Sequence, residues 1–186
     1  PKGVGAMAAI LGLDDATVVK VCGEFVGEGV VEAVNFNATG QVVIAGNKNA
    51  VESACDDMKA AGAKRAVLLP VSVPSHCSLM SDAAEEFSGA VNSLEFRMGD
   101  IGVIHNFDAS IASNINEIKS KLVSQLHKPV LWTDTVKSMH NTGVEKLIEC
   151  GPGKVLAGLT RRIEKSLSAN AVIDLSSVTK TLEEIQ

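Results

Sequence analysis

The rhythm of apolar and polar positions changes several times along the chain, and each change marks an element. Residues 4 to 13, VGAMAAILGL, are small and apolar and end in Asp14 and Asp15, either of which can cap a helix by accepting from its free amides. This reads as a strand followed by a helix. In that helix Val18, Val19, Cys22, Phe25 and Val26 recur every three to four residues while Lys20, Glu24 and Glu28 fall elsewhere, so one face should pack on a sheet. Two β-branched runs follow, VVEAV at 30 to 34 and VVIA at 42 to 45, joined by NFNATGQ, whose Asn, Thr and Gly are turn formers. The pattern predicts a hairpin with a polar, Asn-rich connection. Asn47 or Asn49 then opens a second amphipathic helix with Val51, Ala54, Cys55, Met58 and Ala61 on one face, Gly62 stops it, and AVLLPV at 66 to 71 supplies a last strand. Strand, helix, strand, strand, helix, strand is the split βαβ order of a ferredoxin-like (βαββαβ) unit.

At SVPSH, residues 72 to 76, the pattern breaks, and Pro74 biases Val73 toward an extended conformation. Longer elements are predicted beyond it: helices over 78–92, 111–126 and 133–142, a strand near 101–105, and a strand at 144–149 running into CGPG at 150–153. A helix over 154–167, a strand at 171–175 and a terminal helix from Ser177 complete the pattern. Strands alternating with helices suggest half of a parallel sheet. The predicted fold class is α/β, with a small subdomain over 1–72 and a second one over 73–186. No repeat of fixed period and no low-complexity tract interrupts this order.

Composition narrows the function classes. Apolar residues make up 46% and charged residues 21% of 186 positions, which excludes disorder as the main state. Seventeen Lys and Arg against 22 Asp and Glu give a net charge of -5, against the basic stripe a nucleic-acid partner requires. Apolar stretches free of charge stay short of the roughly 20 residues of a membrane span, and no basic region leads into an apolar run at the start, so no membrane partner is expected. Cys22, Cys55, Cys77 and Cys150 are widely spaced in apolar surroundings and form no C-x-x-C, which reads as reduced thiols and a cytoplasmic setting. With 3% aromatics, no Tyr and the single Trp132, the core must be aliphatic and a base-stacking platform is disfavoured. The chain begins at Pro1 without Met and enters a strand at once, as the rear part of a longer protein would.

Candidate chemistry is sparse. The nucleophile elbow G-x-S-x-G does not occur. Gly151-Pro152-Gly153-Lys154 before a helix falls short of a phosphate loop, because Ile148 stands where a Gly and Val155 where a Ser or Thr is needed. It reads as a tight strand-to-helix turn. His76 lies in the extended Pro-containing loop between the two predicted subdomains, where a neutral imidazole could act as general base or serve structure alone. A metal site is not expected, since His76 and the adjacent Cys77 cannot readily reach one ion and no further Cys or His stands at ligand spacing. His105, His127 and His140 read as structural or surface residues. Asn35 and Asn37, flanking Phe36, could cap the hairpin turn or meet a ligand at the sheet edge. Lys64-Arg65 and Arg161-Arg162 are the basic pairs available to an acidic partner.

Read in order, GAMAAILGLDDA, VNFNATGQVVIAG, AAGAKRAVLLPVSVPSHCSLM, KPVLWTDTV and ECGPGKVLAGLTRRI resemble the malonyl-coenzyme A:acyl carrier protein transacylases of bacterial fatty-acid synthesis, over almost the whole chain. The resemblance implies a ping-pong transfer in which a serine attacks the malonyl thioester, a histidine takes and returns the proton, and the acyl group passes to the phosphopantetheine thiol of the carrier protein. His76 is the histidine of the PVSVPSH block, and the family's orienting backbone carbonyl is expected in KPVLWT, at Leu131. Asn35 and Asn37 match a loop facing the substrate channel. Lys64, Arg65, Arg161 and Arg162 are expected to receive the acidic carrier. The resemblance places the serine, its oxyanion-hole residues and the malonate-gripping arginine in a preceding segment, makes residues 73–186 the C-terminal part of an α/β-hydrolase-like large subdomain, and implies no cofactor. On this reading the segment alone is inactive. The alternatives are a polyketide-synthesis acyltransferase and a non-catalytic ferredoxin-like binding module.

Overall fold

Capping and periodicity account for the first elements. β1 (Gly5–Leu11) leads to Asp14, whose carboxylate accepts from the amide and hydroxyl of Thr17 at 2.9 and 2.6 Å and so starts α1 (Asp15–Gly23). Of the two aspartates that could have capped, Asp14 does so. β2 (Val31–Ala38), β3 (Gln41–Asn47), α2 (Lys48–Ala60) and β4 (Arg65–Leu68) follow. The structure is a computed structural model that describes residues 3 to 185. Pro1, Lys2 and Gln186, and with them the expected start and the outer ends of the two predicted subdomains, lie outside the described residues. The chain divides into two compact units, 1–135 and 136–186, and the subdomain boundary expected at 72/73 falls inside the first.

In the first unit the four strands form one antiparallel sheet in the order β2-β3-β1-β4. The central strands read as continuous apolar runs because both faces are covered. Ala8, Ile10, Val42 and Ile44 face Val18 of α1 and Val51, Ala54 and Met58 of α2. Met7, Val43 and Ala45, one residue out of phase, face Val34 and Cys77 on the other side. The α2 face matches the periodicity up to Met58, whereas Ala61 lies past the helix end and is exposed. On α1 the expectation fails at two positions. Val19, within the helix, is 49% exposed, and Val26 is 97% exposed because the helix ends at Gly23 and the chain leaves the helical wheel before it.

The Asn-rich connection is also shorter than the residue types predict. β2 runs on to Ala38, and Thr39 and Gly40 alone separate it from β3. Asn35 and Asn37 are therefore strand residues. Register shifts at 33/35 and 36/38 absorb the extra residues, and pairing on both sides of β2 overrides the local preference of Asn for turns.

A loop leads to a single 3-10 turn at Ser78–Met80 and to α3 (Ser81–Ser93). The strand expected near 101–105 is reduced to β5 (Ile104–His105), paired antiparallel with β6 (Ser110–Ile111), ahead of α4 (Ile115–Ser124). Lys121 of α4 secures this hairpin. Its side chain is 5% exposed and its ammonium meets Asp108 at 2.8 Å and Glu117 at 3.3 Å, and it also donates to the Ser110 hydroxyl. Burial disfavours the charge, yet the bonds to both carboxylates outweigh it and hold Lys121 above the usual lysine range.

α5 (Trp132–Asn141) spans the division between the units. In the second unit β7 (Lys146–Cys150) pairs in parallel with β8 (Ser168–Val172), with α6 (Val155–Ile163) as crossover and α7 (Leu175–Ile185) at the end. The expected βαβ alternation appears here as this two-stranded parallel sheet. Leu159, Leu167 and Ala169 are buried, and Arg161 of α6 donates to the Ala169 carbonyl at 2.7 Å. Among the described residues no helix is long and apolar enough to cross a membrane.

Candidate active site around His76

The loop that carries His76 is fixed on both sides of the residue. Upstream, the Pro74 ring lies so close over Gly5 of β1 that a Cβ on Gly5 would stand 2.3 Å from its Cδ. Downstream, Cys77 is fully buried against Met7, Val34, Val43 and Ala45, and its thiol donates to the Pro74 carbonyl at 3.2 Å. His76 itself has φ +67, a left-handed conformation that costs a non-glycine residue on the order of 1–3 kcal/mol and persists where its surroundings over-determine it.

The end of α4 supplies that determination. The last carbonyls of a helix have no partner within it. Here the Leu126 carbonyl accepts from the His76 amide at 3.1 Å and the Gln125 carbonyl accepts from the ring Nδ1 at 2.7 Å. A carbonyl cannot donate, so Nδ1 carries a proton, and in the neutral tautomer that this bond selects the lone pair is on Nε2. The ring is half-buried, and a backbone group fixes its tautomer.

This geometry corrects the expectation for Leu131. Its carbonyl precedes α5 and is engaged there, accepting from the amide and hydroxyl of Thr135, each at 2.9 Å. Its amide donates to the Asn106 carbonyl at 2.7 Å. The orienting carbonyl is that of Gln125. Any residue type has a carbonyl to offer, so nothing in the side-chain pattern distinguishes Gln125, and only the path of the chain past the end of α4 reveals it.

Asn35 and Asn37 lie on β2, outside any turn. Asn35 is opposite Val43 and bridges to Val130, while Asn37 occupies the bulge between Phe36 and Ala38. The Val34 carbonyl accepts from the Val130 amide at 2.7 Å, the Phe36 amide donates to the Val130 carbonyl at 2.9 Å, and the Thr133 hydroxyl donates to the Phe36 carbonyl at 3.1 Å. The stretch 125–131 thus begins at the carbonyl that holds the His76 ring and reaches the β2 edge beside Asn35.

The basic pairs divide between the units. Lys64 and Arg65 are exposed at the start of β4 in the first, with the Lys64 stem over Gly12. Arg161 and Arg162 are exposed on α6 in the second, where a groove of about 550 Å³ is lined by Lys154, Arg161, Asn170, Lys180 and Glu184. Of the other histidines, His105 is buried with Nε2 unpartnered, and burial and the Lys121 charge lower its pKa. His140 is exposed. Burial and nearby Glu32 push the Cys22 thiol up to about 12, and burial raises Cys55 and Cys77, whereas Cys150 is exposed. No three His, Cys, Asp or Glu converge as metal ligands among the described residues.

No family model matches the chain. Individual proteins do. It is 51% identical over 183 residues to the malonyl CoA-acyl carrier protein transacylase of Escherichia coli strain K12, an alignment covering 98% of this chain and 59% of that protein. The Bacillus subtilis protein of the same name is 37% identical over 187 residues, with 100% and 59% covered. Among solved structures, the chain superposes with a TM-score of 0.96 and 48% identity on a malonyl-transacylase in complex with its type II PKS acyl-carrier protein, covering 99% of this chain and 60% of that one. An acyl-carrier-protein S-malonyltransferase from Burkholderia pseudomallei gives a TM-score of 0.95 at 49% identity, with 98% and 60% covered. The chain thus spans about three fifths of the length of the relatives it matches, and over that span it is similar to malonyl CoA-acyl carrier protein transacylases.

Proposed function

We propose that this chain supplies the general base of a malonyl transfer from coenzyme A to the phosphopantetheine thiol of acyl carrier protein. The observation that carries the reading is the His76 ring, with Nδ1 donating to the Gln125 carbonyl and Nε2 left as the base, in a segment 51% identical to a transacylase. Nε2 takes the proton of a serine hydroxyl as its oxygen attacks the malonyl thioester. A C–O bond forms, the C–S bond breaks, and the proton passes to the departing coenzyme A thiolate. In the second half the carrier thiol gives its proton to Nε2 and its sulfur attacks the malonyl ester. The C–S bond forms, the C–O bond breaks, and the proton returns to the serine. Such chemistry asks for no cofactor or metal. The serine belongs to a G-x-S-x-G turn that these 186 residues do not contain, so it comes from a segment outside them.

On this reading residues 1–72 are the ferredoxin-like small subdomain, in keeping with the βαββαβ order and the antiparallel β2-β3-β1-β4 sheet. Residues 73–186 are the C-terminal part of the α/β-hydrolase-like large subdomain. Asn35 and Asn37 contact substrate from the β2 edge, and Lys64, Arg65, Arg161 and Arg162 receive the acidic carrier in the cytoplasm. A second reading, with the acceptor a polyketide-synthesis carrier, is favoured by the likeness to the type II PKS malonyl-transacylase. Intact denaturing mass spectrometry of the whole enzyme, before and after brief exposure to malonyl-coenzyme A, tests the proposal. One added malonyl group that leaves on addition of carrier protein is expected, and a polypeptide that gains nothing would overturn it.

A further inference from the structure

The left-handed backbone at His76 raises the question of what keeps the chain from relaxing downstream of it. Two residues on, Ser78 makes two bonds to one carboxylate. Its amide donates to Glu32 Oε2 at 2.9 Å and its hydroxyl to Glu32 Oε1 at 2.6 Å. Both carboxylate oxygens are used, the paired, charge-assisted arrangement that fixes geometry as well as adding strength. Glu32 lies on β2, in register with Ala45 of the central strand β3, so the anchor is a rigid one. It interrupts the apolar run VVEAV, and its charge contributes to raising the thiol pKa of Cys77 between the two bonded loop positions.

We propose that Glu32 is a positioning residue for His76, acting through Ser78. The inference rests on the reading of His76 as the transfer base. β2 then fixes both sides of the catalytic hydrogen bond. Through Glu32 it holds the loop that carries the ring, and through Val34 and Phe36 it holds Val130, at the far end of the stretch that begins with the Gln125 carbonyl. Releasing the Ser78 anchor lets φ at His76 return toward ordinary values and turns the ring away from Gln125. A shift of about 1 Å in a catalytic group costs up to a hundredfold in rate.

The test compares Glu32→Ala, Glu32→Gln, Ser78→Ala and the Glu32→Ala/Ser78→Ala pair in the whole enzyme, with malonyl-coenzyme A and carrier protein as substrates. Glu32→Ala should lower kcat by about tenfold, with KM for malonyl-coenzyme A within about twofold of wild type. Glu32→Gln keeps an oxygen acceptor in place and should recover most of the rate. Ser78→Ala, which retains the amide, should cost less than Glu32→Ala and add nothing on top of it. The imidazole Nδ1–H resonance of His76, assigned by its loss in His76→Ala, should persist in wild type and Glu32→Gln and broaden or vanish in Glu32→Ala. An unchanged resonance and a kcat within about twofold in Glu32→Ala would overturn the proposal. So would a Glu32→Gln enzyme as slow as Glu32→Ala with a matching loss of thermal stability, which would make Glu32 an element of the fold alone. If wild-type enzyme transfers no malonyl group, the function proposed above fails, and the resonance in Glu32→Ala still decides the positioning role.

Discussion

Replacing Gly5 by Ala tests whether the loop carrying His76 is held by packing as closely as the structure describes. Gly5 has an ordinary strand conformation, so alanine brings no backbone strain and the effect is steric. The added Cβ would stand 2.3, 2.6 and 2.9 Å from Pro74 Cδ, Cγ and Cβ. Carbon atoms rest at roughly 3.5–4.0 Å, so the ring must retreat by about 1 Å. β1 is held at this end by β3, where Gly5 is in register with Asn47. Overpacking of this kind costs roughly 1–3 kcal/mol. The displaced loop carries His76 two residues on, so kcat for malonyl transfer should fall by about ten- to a hundredfold. Chemical denaturation followed by circular dichroism reads the first effect, and steady-state transfer to carrier protein by the whole enzyme reads the second. Two companions sharpen the test. Gly23→Ala, where a Cβ meets nothing within 4 Å, should lower neither, and in a helical position should leave stability equal or slightly higher. Adding Pro74→Ala to Gly5→Ala removes the two nearest ring carbons and should restore much of the stability. Wild-type stability and turnover in Gly5→Ala would refute the reasoning.

Hydrogen bonds from the Ser113 amide and hydroxyl, and then from Lys121, hold Glu117 down to about 2 against an ordinary 4.5. Its contribution to stability is therefore complete above pH 4.5 and lost as pH falls toward 2, so the wild-type advantage over Glu117→Gln in urea midpoint should shrink across that window and stay constant above it. Limited alkylation with iodoacetamide at pH 8 should label the exposed Cys150 first, with Cys22, Cys55 and Cys77 protected until denaturant is added, as read by peptide mapping. Reversing the charges of Lys64 and Arg65 should lower kcat/KM several-fold for carrier protein and little for free pantetheine, with the gap closing as salt rises, and equal losses would remove the docking role. The same reversal at Arg161 would also break its bond to the Ala169 carbonyl, so its stability must be measured alongside.

Much of this arrangement is legible in the residues. Apolar period and turn formers suffice to order the first six elements, because a strand covered on both faces and a helix covered on one leave different signatures. The break at Pro74 marks the loop that carries His76, but its role as base comes only from the resemblance of the PVSVPSH block. Three features escape. The Asn pair looks like a turn because Asn supplies turns in isolation, whereas here β3 and Val130 pair with β2 on either side and draw both residues into it. Val26 continues the helical spacing of α1 on paper, but the helix stops at Gly23 before the spacing can place it. The carbonyl that orients His76 belongs to Gln125 and not Leu131 because a main-chain acceptor is chosen by reach, which side-chain identity does not encode.

The central claim is that Nε2 of His76, freed by the Nδ1 bond to Gln125, is the base of the transfer. The most direct measurement is the single-turnover rate of malonyl-enzyme formation from malonyl-coenzyme A in the whole enzyme, wild type against His76→Ala, with folding verified by circular dichroism. A fall of about two orders of magnitude or more is predicted, the scale of a lost general base. A His76→Ala enzyme that loads malonate within a few-fold of wild type would contradict the claim and return His76 to a structural role.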